Sequence, residues 1–189
     1  MLLGDIMAID DYIKRARELR NVYMQYLREV SPKPSTKTLI FTCMDARISL
    51  GYLFGLRPGE AVIIRNAGAY LTGDVIRSIV AAVYESNIEN ILVIGHTDCA
   101  MTKINVNELK RRIIVQNNLY PDEVDYYTGD FENWIKSFSD PYENVKRTMA
   151  ILSRHPLIPK NVTIRGFVLD VEKAILDEVI LKEEEMEGS

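Results

Sequence analysis

Between residues 9 and 30 the apolar positions Ile9, Ile13, Ala16, Leu19, Tyr23, Tyr26 and Leu27 recur near the 3.6-residue period, with Lys14, Arg15, Arg17 and Glu18 mostly elsewhere. This spacing predicts one long helix. Ser31-Pro32-Lys33-Pro34 ends it, because proline disfavours a helical conformation in the residue before it. The pattern then changes to short apolar runs: Thr38-Leu39-Ile40-Phe41-Thr42, Ala61-Val62-Ile63-Ile64-Arg65 and Asn90-Ile91-Leu92-Val93-Ile94. Runs of this length, rich in Ile and Val, suit strands buried on both faces of a parallel sheet. Between the second and third, Val75, Ile76, Ile79, Val80 and Val83 form a helical stripe, so residues 61–94 read as a βαβ unit. Helices are expected over 107–117, 131–138 and 142–153, and a fourth strand over 162–168. The fold class is α/β, a mainly parallel sheet of four to five strands flanked by helices, with an N-terminal helical arm.

Composition narrows the function classes. At 189 residues the chain has room for one main core, and its 47% hydrophobic and 26% charged residues are ordinary for a globular protein. The expected division is an arm over 1–35, packed on its own domain or against a second subunit, an α/β domain over 36–181, and an acidic tail over 182–189 whose composition predicts disorder. The net charge is −4, of which the tail supplies −3 through four Glu and one Lys, leaving −1 for the body. A near-neutral body has no electrostatic footprint for nucleic acid or an anionic membrane. The longest apolar run, residues 79–84, is six residues, against roughly 18 for a membrane span. Asp5, Asp10 and Asp11 stand where an export signal would be basic and then apolar, so a cytoplasmic location is expected. Two cysteines make no disulfide framework, and in a reducing cytosol both are thiols.

The chemistry collects at the strand ends, where open α/β sheets bind ligands. The first strand runs into Cys43-Met44-Asp45-Ala46-Arg47, the second into Asn66-Ala67-Gly68-Ala69, and the third into Gly95-His96-Thr97-Asp98-Cys99. Both cysteines and one of two histidines therefore meet one sheet edge. Two thiolates and an imidazole suit a borderline-soft ion such as zinc. Other readings stay open at this point: buried cysteines as small apolar filler, a structural histidine, or a Cys43–Cys99 disulfide. No Gly-x-Gly-x-x-Gly follows the first strand, which argues against a dinucleotide.

Cys43-Met44-Asp45-Ala46-Arg47, Arg65-Asn66-Ala67-Gly68 and Gly95-His96-Thr97-Asp98-Cys99 together resemble the beta-class carbonic anhydrases, particularly their compact prokaryotic and archaeal branch. The likeness spans roughly 36–172 and includes Ser153-Arg154-His155-Pro156-Leu157-Ile158-Pro159 and Gly166-Phe167-Val168-Leu169-Asp170-Val171. It implies a zinc lyase that hydrates carbon dioxide reversibly to bicarbonate and a proton through zinc-bound hydroxide. It also implies Cys43, His96 and Cys99 as Zn2+ ligands, Asp45 and Arg47 as the catalytic pair beside the metal, and a homodimer or homotetramer whose N-terminal helices wrap over the partner.

Two thiolates cancel the ion's +2 charge, so such a site acidifies bound water less than three imidazoles would. Asp45 has two courses: it binds as a fourth ligand and closes the site, or it pairs with Arg47 and leaves that position to water. A surface ion pair is the plainer alternative. Gly68 shapes the turn under the substrate pocket. Ala69 and Ala100 stand where the family usually has glycine, which places Ala100 with Gly68 at the substrate pocket; each alanine is strained if its backbone needs a positive φ, and otherwise its methyl narrows the site or makes it more apolar. Asp98 is either a partner of the ligand loop or a solvent-exposed acid. His155, the only other histidine, is the proton-carrier candidate by its ordinary pKa. Two alternative functions remain. One is a related hydrolase of carbon disulfide or carbonyl sulfide, suggested by Phe131-Glu132-Asn133-Trp134-Ile135-Lys136 and the His-Pro-Leu-Ile-Pro loop. The other is a catalytically silent, zinc-stabilised scaffold.

Overall fold

A computed structural model describes residues 9–182 of the chain. Residues 1–8 of the expected arm, and the acidic tail beyond Lys182, lie outside the described residues. The arm begins as α1 (Ile9–Glu18) and α2 (Arg20–Glu29), neither of which buries a residue. The single helix expected over 9–30 is thus divided at Leu19. Its φ of −85° and ψ of 1° leave the helical range, although Leu19 N–H still donates to Arg15 O and Tyr23 N–H to Leu19 O, both at 2.9 Å. One displaced peptide between two helical turns makes the break.

The remaining elements are β1 (Thr38–Cys43), α3 (Leu50–Phe54), β2 (Ala61–Asn66), α4 (Gly73–Glu85), β3 (Asn90–His96), α5 (Val106–Asn117), α6 (Glu123–Thr128), α7 (Phe131–Ile135), α8 (Pro141–Arg154), β4 (Thr163–Asp170) and β5 (Ile175–Val179). The sheet order is β2-β1-β3-β4-β5. The β1–β2, β1–β3 and β3–β4 pairs are parallel and β4–β5 is antiparallel. β5 is the strand that apolar runs do not announce, because only Val179 in it is buried. Its signal lies in the turn before it. There the Asp170 carboxylate accepts from the N–H groups of Glu172 and Lys173 at 2.9 and 3.0 Å and folds the chain back. The helix expected over 131–138 stops at Ile135, where Lys136 turns left-handed at φ 57°.

Capping residues start the longer helices. The side chains of Thr72, Asn105 and Asp140 accept from the N–H groups of Val75, Glu108 and Tyr142. Leu39 and Phe41 of β1, Ile91, Val93 and Ile94 of β3, Ile79 of α4 and Val145 and Leu152 of α8 are fully buried and form the core. α8 lies against β3 and β4 at a distance that only glycine permits. A Cβ on Gly95 would stand 2.8 Å from Val145 Cγ2, and one on Gly166 2.6 Å from Val145 Cγ1. Among the described residues no helix is long and apolar enough to cross a membrane.

Candidate metal centre

Parallel register brings the carboxyl ends of three strands to one edge, with Cys43 opposite Asn66 and Thr42 opposite Ile94. Cys43 closes β1, His96 closes β3, and Cys99 follows in the next loop. All three are buried, at 4%, 1% and 2% exposure, and their ligating atoms lie within 4.8 Å of one another. Both cysteines are free thiols, so the disulfide left open by the sequence is not formed.

His96 gives the sharpest test of whether this cluster fits an ion. Its Nδ1 stands 2.8 Å from the Thr97 carbonyl oxygen, which can only accept, so Nδ1 carries the proton and Nε2 presents a lone pair. That Nε2 is buried without a hydrogen-bond partner. A buried acceptor left unmade is costly, and a cation between it and two sulfurs removes the cost. The thiols are prepared unequally. A hydrogen bond from Cys99 holds the Cys43 thiol far below its ordinary range against the opposing effect of burial, helped by the backbone N–H groups of Asp45 and Gly68. Cys99 is pushed up by Cys43 and by burial.

Asp45 is gripped by Arg47 through both carboxylate oxygens: Nε donates to Oδ1 at 3.0 Å and Nη2 to Oδ2 at 2.8 Å. The Arg47 backbone N–H adds a third bond to Oδ1 at 2.9 Å. Asp45 Oδ2 nevertheless lies only 3.9 Å from His96 Nε2. Of the two courses open to Asp45, the structure holds the Arg47 pair. These hydrogen bonds keep the Asp45 carboxyl well below the usual carboxylate range, so it is ionised at neutral pH. Asp98, at φ 55°, is an ion-pair partner: its Oδ2 accepts from Arg47 Nη1 at 2.8 Å and its Oδ1 contacts Lys103 Nζ.

The turn after β2 completes the floor. Gly68 has a φ of 74° and its N–H donates to Cys43 Sγ at 3.3 Å. A Cβ there would meet Phe138 Cε1 at 2.5 Å and Met101 Cγ at 3.1 Å, so no other residue fits. Ala69 is buried with φ 51°, so this alanine does sit in left-handed backbone and carries its strain. Ala100 is different. It is exposed, has no positive φ, and opens a short 3-10 turn over Ala100–Thr102. His155 caps the far end of α8, and its loop leads into the start of β4, the edge of the sheet opposite the cluster. It therefore does not face the site. Residue types alone did not reveal Arg65, whose guanidinium donates to the carbonyls of Cys43 at 2.9 Å and Asp45 at 2.7 Å. Nor did they reveal Asn144, whose amide reaches the 68–69 turn from α8. Arg65 was visible only as part of a motif, and Asn144 carried no signal.

A thiol-imidazole cluster that could hold a metal ion stands at the carboxyl edge of a parallel sheet, with an acid held beside it by arginine, in an α/β protein. Residues 38–176 match the family described as carbonic anhydrase, and the chain belongs to that family of enzymes. It is 33% identical over 172 residues to beta-carbonic anhydrase 1 of Mycobacterium tuberculosis, covering 90% of this chain and 96% of that one. It is 36% identical over 179 residues to the carbon disulfide hydrolase of Saccharolobus solfataricus, covering 87% of each. Among solved structures it is similar to beta-carbonic anhydrase isoform I of Trichomonas vaginalis, with a TM-score of 0.78 and 25% identity, covering 92% of this chain and 98% of the other.

Proposed function

We propose that this chain hydrates carbon dioxide reversibly to bicarbonate and a proton, with Cys43, His96 and Cys99 holding Zn2+. The observation that carries the reading is the buried, unpartnered His96 Nε2 between two thiols, with the Asp45 carboxylate 3.9 Å away. Zinc bound there supplies a Lewis acid that lowers the pKa of a water toward about 7. The chain's own residues then do the positioning. Asp45, ionised and fixed by Arg47, accepts a hydrogen bond from the attacking water and turns the oxygen lone pair toward carbon. Asp98, itself paired with Lys103, holds Arg47 from its other side, which keeps Asp45 turned toward Arg47. Phe138 and Met101 pack against Gly68 and make the surroundings of the turn apolar. The thiolates require a reducing compartment, which supports a cytoplasmic location. The bare apolar side chains of α1 and α2 support a homodimer or higher assembly.

Replacing Cys43 with Ser should abolish both stoichiometric zinc binding and carbon dioxide hydration. Full hydration by verified metal-free protein would sink the reading. The Saccharolobus relative favours a second substrate class, carbon disulfide or carbonyl sulfide, for the same residues. Sulfide release from carbon disulfide, faster than hydration of carbon dioxide, would establish it. Failure of both reactions at one zinc per chain would leave a zinc-stabilised scaffold.

A further inference from the structure

Among the described residues two buried side-chain polar atoms lack a hydrogen-bond partner: His96 Nε2 and Asn144 Oδ1. The first belongs to the Cys43–His96–Cys99 cluster. The second belongs to a residue in the first turn of α8, 48 positions further along the chain than His96. Asn144 is only 4% exposed, and its Nδ2 donates to the carbonyl of Gly68 at 3.1 Å and of Ala69 at 3.3 Å. Two carbonyl oxygens can be met only by the amide nitrogen, so the orientation of this side chain is fixed by its partners. Its oxygen is left without a partner, a buried cost that the fold carries to keep the two donors in place.

What those donors hold is the consecutive left-handed pair Gly68 and Ala69, at φ 74° and 51°. This pair turns the Gly68 N–H onto Cys43 Sγ at 3.3 Å. Asn66 closes the same turn from its mouth, accepting from Tyr70 N–H at 3.1 Å and donating to Tyr70 O at 2.8 Å. Asn144 is the clamp that comes from outside the turn. α8 can deliver it because Gly95 and Gly166 let the helix sit tightly on the sheet.

We infer that Asn144 is a positioning residue for the metal centre: it fixes the Gly68–Ala69 peptides so that the Gly68 N–H hydrogen-bonds the Cys43 sulfur and orients that ligand. The inference rests on the reading of Cys43 as a metal ligand and extends it to a residue that touches neither metal nor substrate. Outer partners that orient ligands commonly alter metal retention by about tenfold or more.

The test is NMR of full-length protein loaded with cadmium-113. Coupling between the metal and the Cys43 Hβ protons reports whether Cys43 is a ligand at all. Coupling between the metal and the Gly68 amide proton, carried through the hydrogen-bonded sulfur, reports the proposed contact in the unmutated protein. We expect both. Hβ coupling without amide coupling overturns the inference and leaves the ligand reading standing; absence of both removes both. Asn144→Ala and Asn144→Asp should lose the amide coupling and release zinc to a chelator about tenfold faster. Leu152→Ala, a fully buried change on the same helix, should lower the melting temperature while leaving coupling and zinc release unchanged. Equal effects of Leu152→Ala and the Asn144 variants would assign Asn144 to packing alone.

Discussion

Arg47 sets the chemistry at the scale of single residues, because it joins Asp45 to Asp98 and keeps both ionised. Asp45→Asn keeps the shape but removes the charge, and should lower kcat/KM for hydration by about a hundredfold with zinc content unchanged. Unaltered kcat/KM would remove Asp45 from the reaction. The same ion pairs predict a pH dependence of folding. Arg47 hydrogen bonds hold Asp45 well below the ordinary range, and Lys103 followed by Arg47 holds Asp98 at about 2. As pH falls through about 4 the unfolded chain takes up protons on these acids before the folded chain does. Their contribution is therefore complete above roughly pH 5 and is lost as pH falls toward 2. The melting temperature of metal-free protein should drop between pH 7 and pH 3, and more steeply than that of Arg47→Ala. Parallel slopes would contradict the account. Cys43, His96 and Cys99 were legible in the sequence because apolar runs located the strand ends and left these side chains at the edge. Asn144 was not legible, since a polar residue in a first helical turn ordinarily faces water and here faces two carbonyls.

At the scale of elements, the central strands β1 and β3 were readable because their apolar runs are buried in the sheet, as Leu39 to Phe41 and Ile91, Val93 and Ile94 show, whereas β2, at the edge, buries no residue and leaves Ile63 exposed although its run reads the same way. β5 was not, because burial of Val179 alone leaves no periodic signature. The break at Leu19 was invisible for another reason: leucine is a good helix former, and only its ψ marks the joint. Left-handed Lys136 hides the end of α7 in the same way. The seating of α8 on β3 and β4 is the element-level feature with the clearest energetic consequence. Gly166→Ala forces a Cβ toward Val145 and Met149 and should destabilise the fold by about 1–3 kcal/mol in denaturant melts. A neutral result would mean that α8 can lift away from the sheet at little cost.

For the whole molecule, the arm is the feature that a single chain leaves unexplained. Val22 and Leu27 on α2 are 68% and 54% exposed, and neither α1 nor α2 buries any side chain. A second copy packed on these two helices would account for such exposure. The paired change Val22→Glu and Leu27→Glu should therefore halve the molar mass in light scattering while preserving the circular dichroism spectrum. An unchanged mass would place the interface elsewhere. The central claim concerns the cluster that the sheet assembles at its carboxyl edge. Its most direct test is stopped-flow carbon dioxide hydration by protein carrying one zinc per chain, from about pH 6 to about pH 9. The account predicts hydration that rises with pH, vanishes when zinc is stripped and returns when zinc is restored. Silence across that range with zinc in place, or hydration that survives its removal, would contradict it.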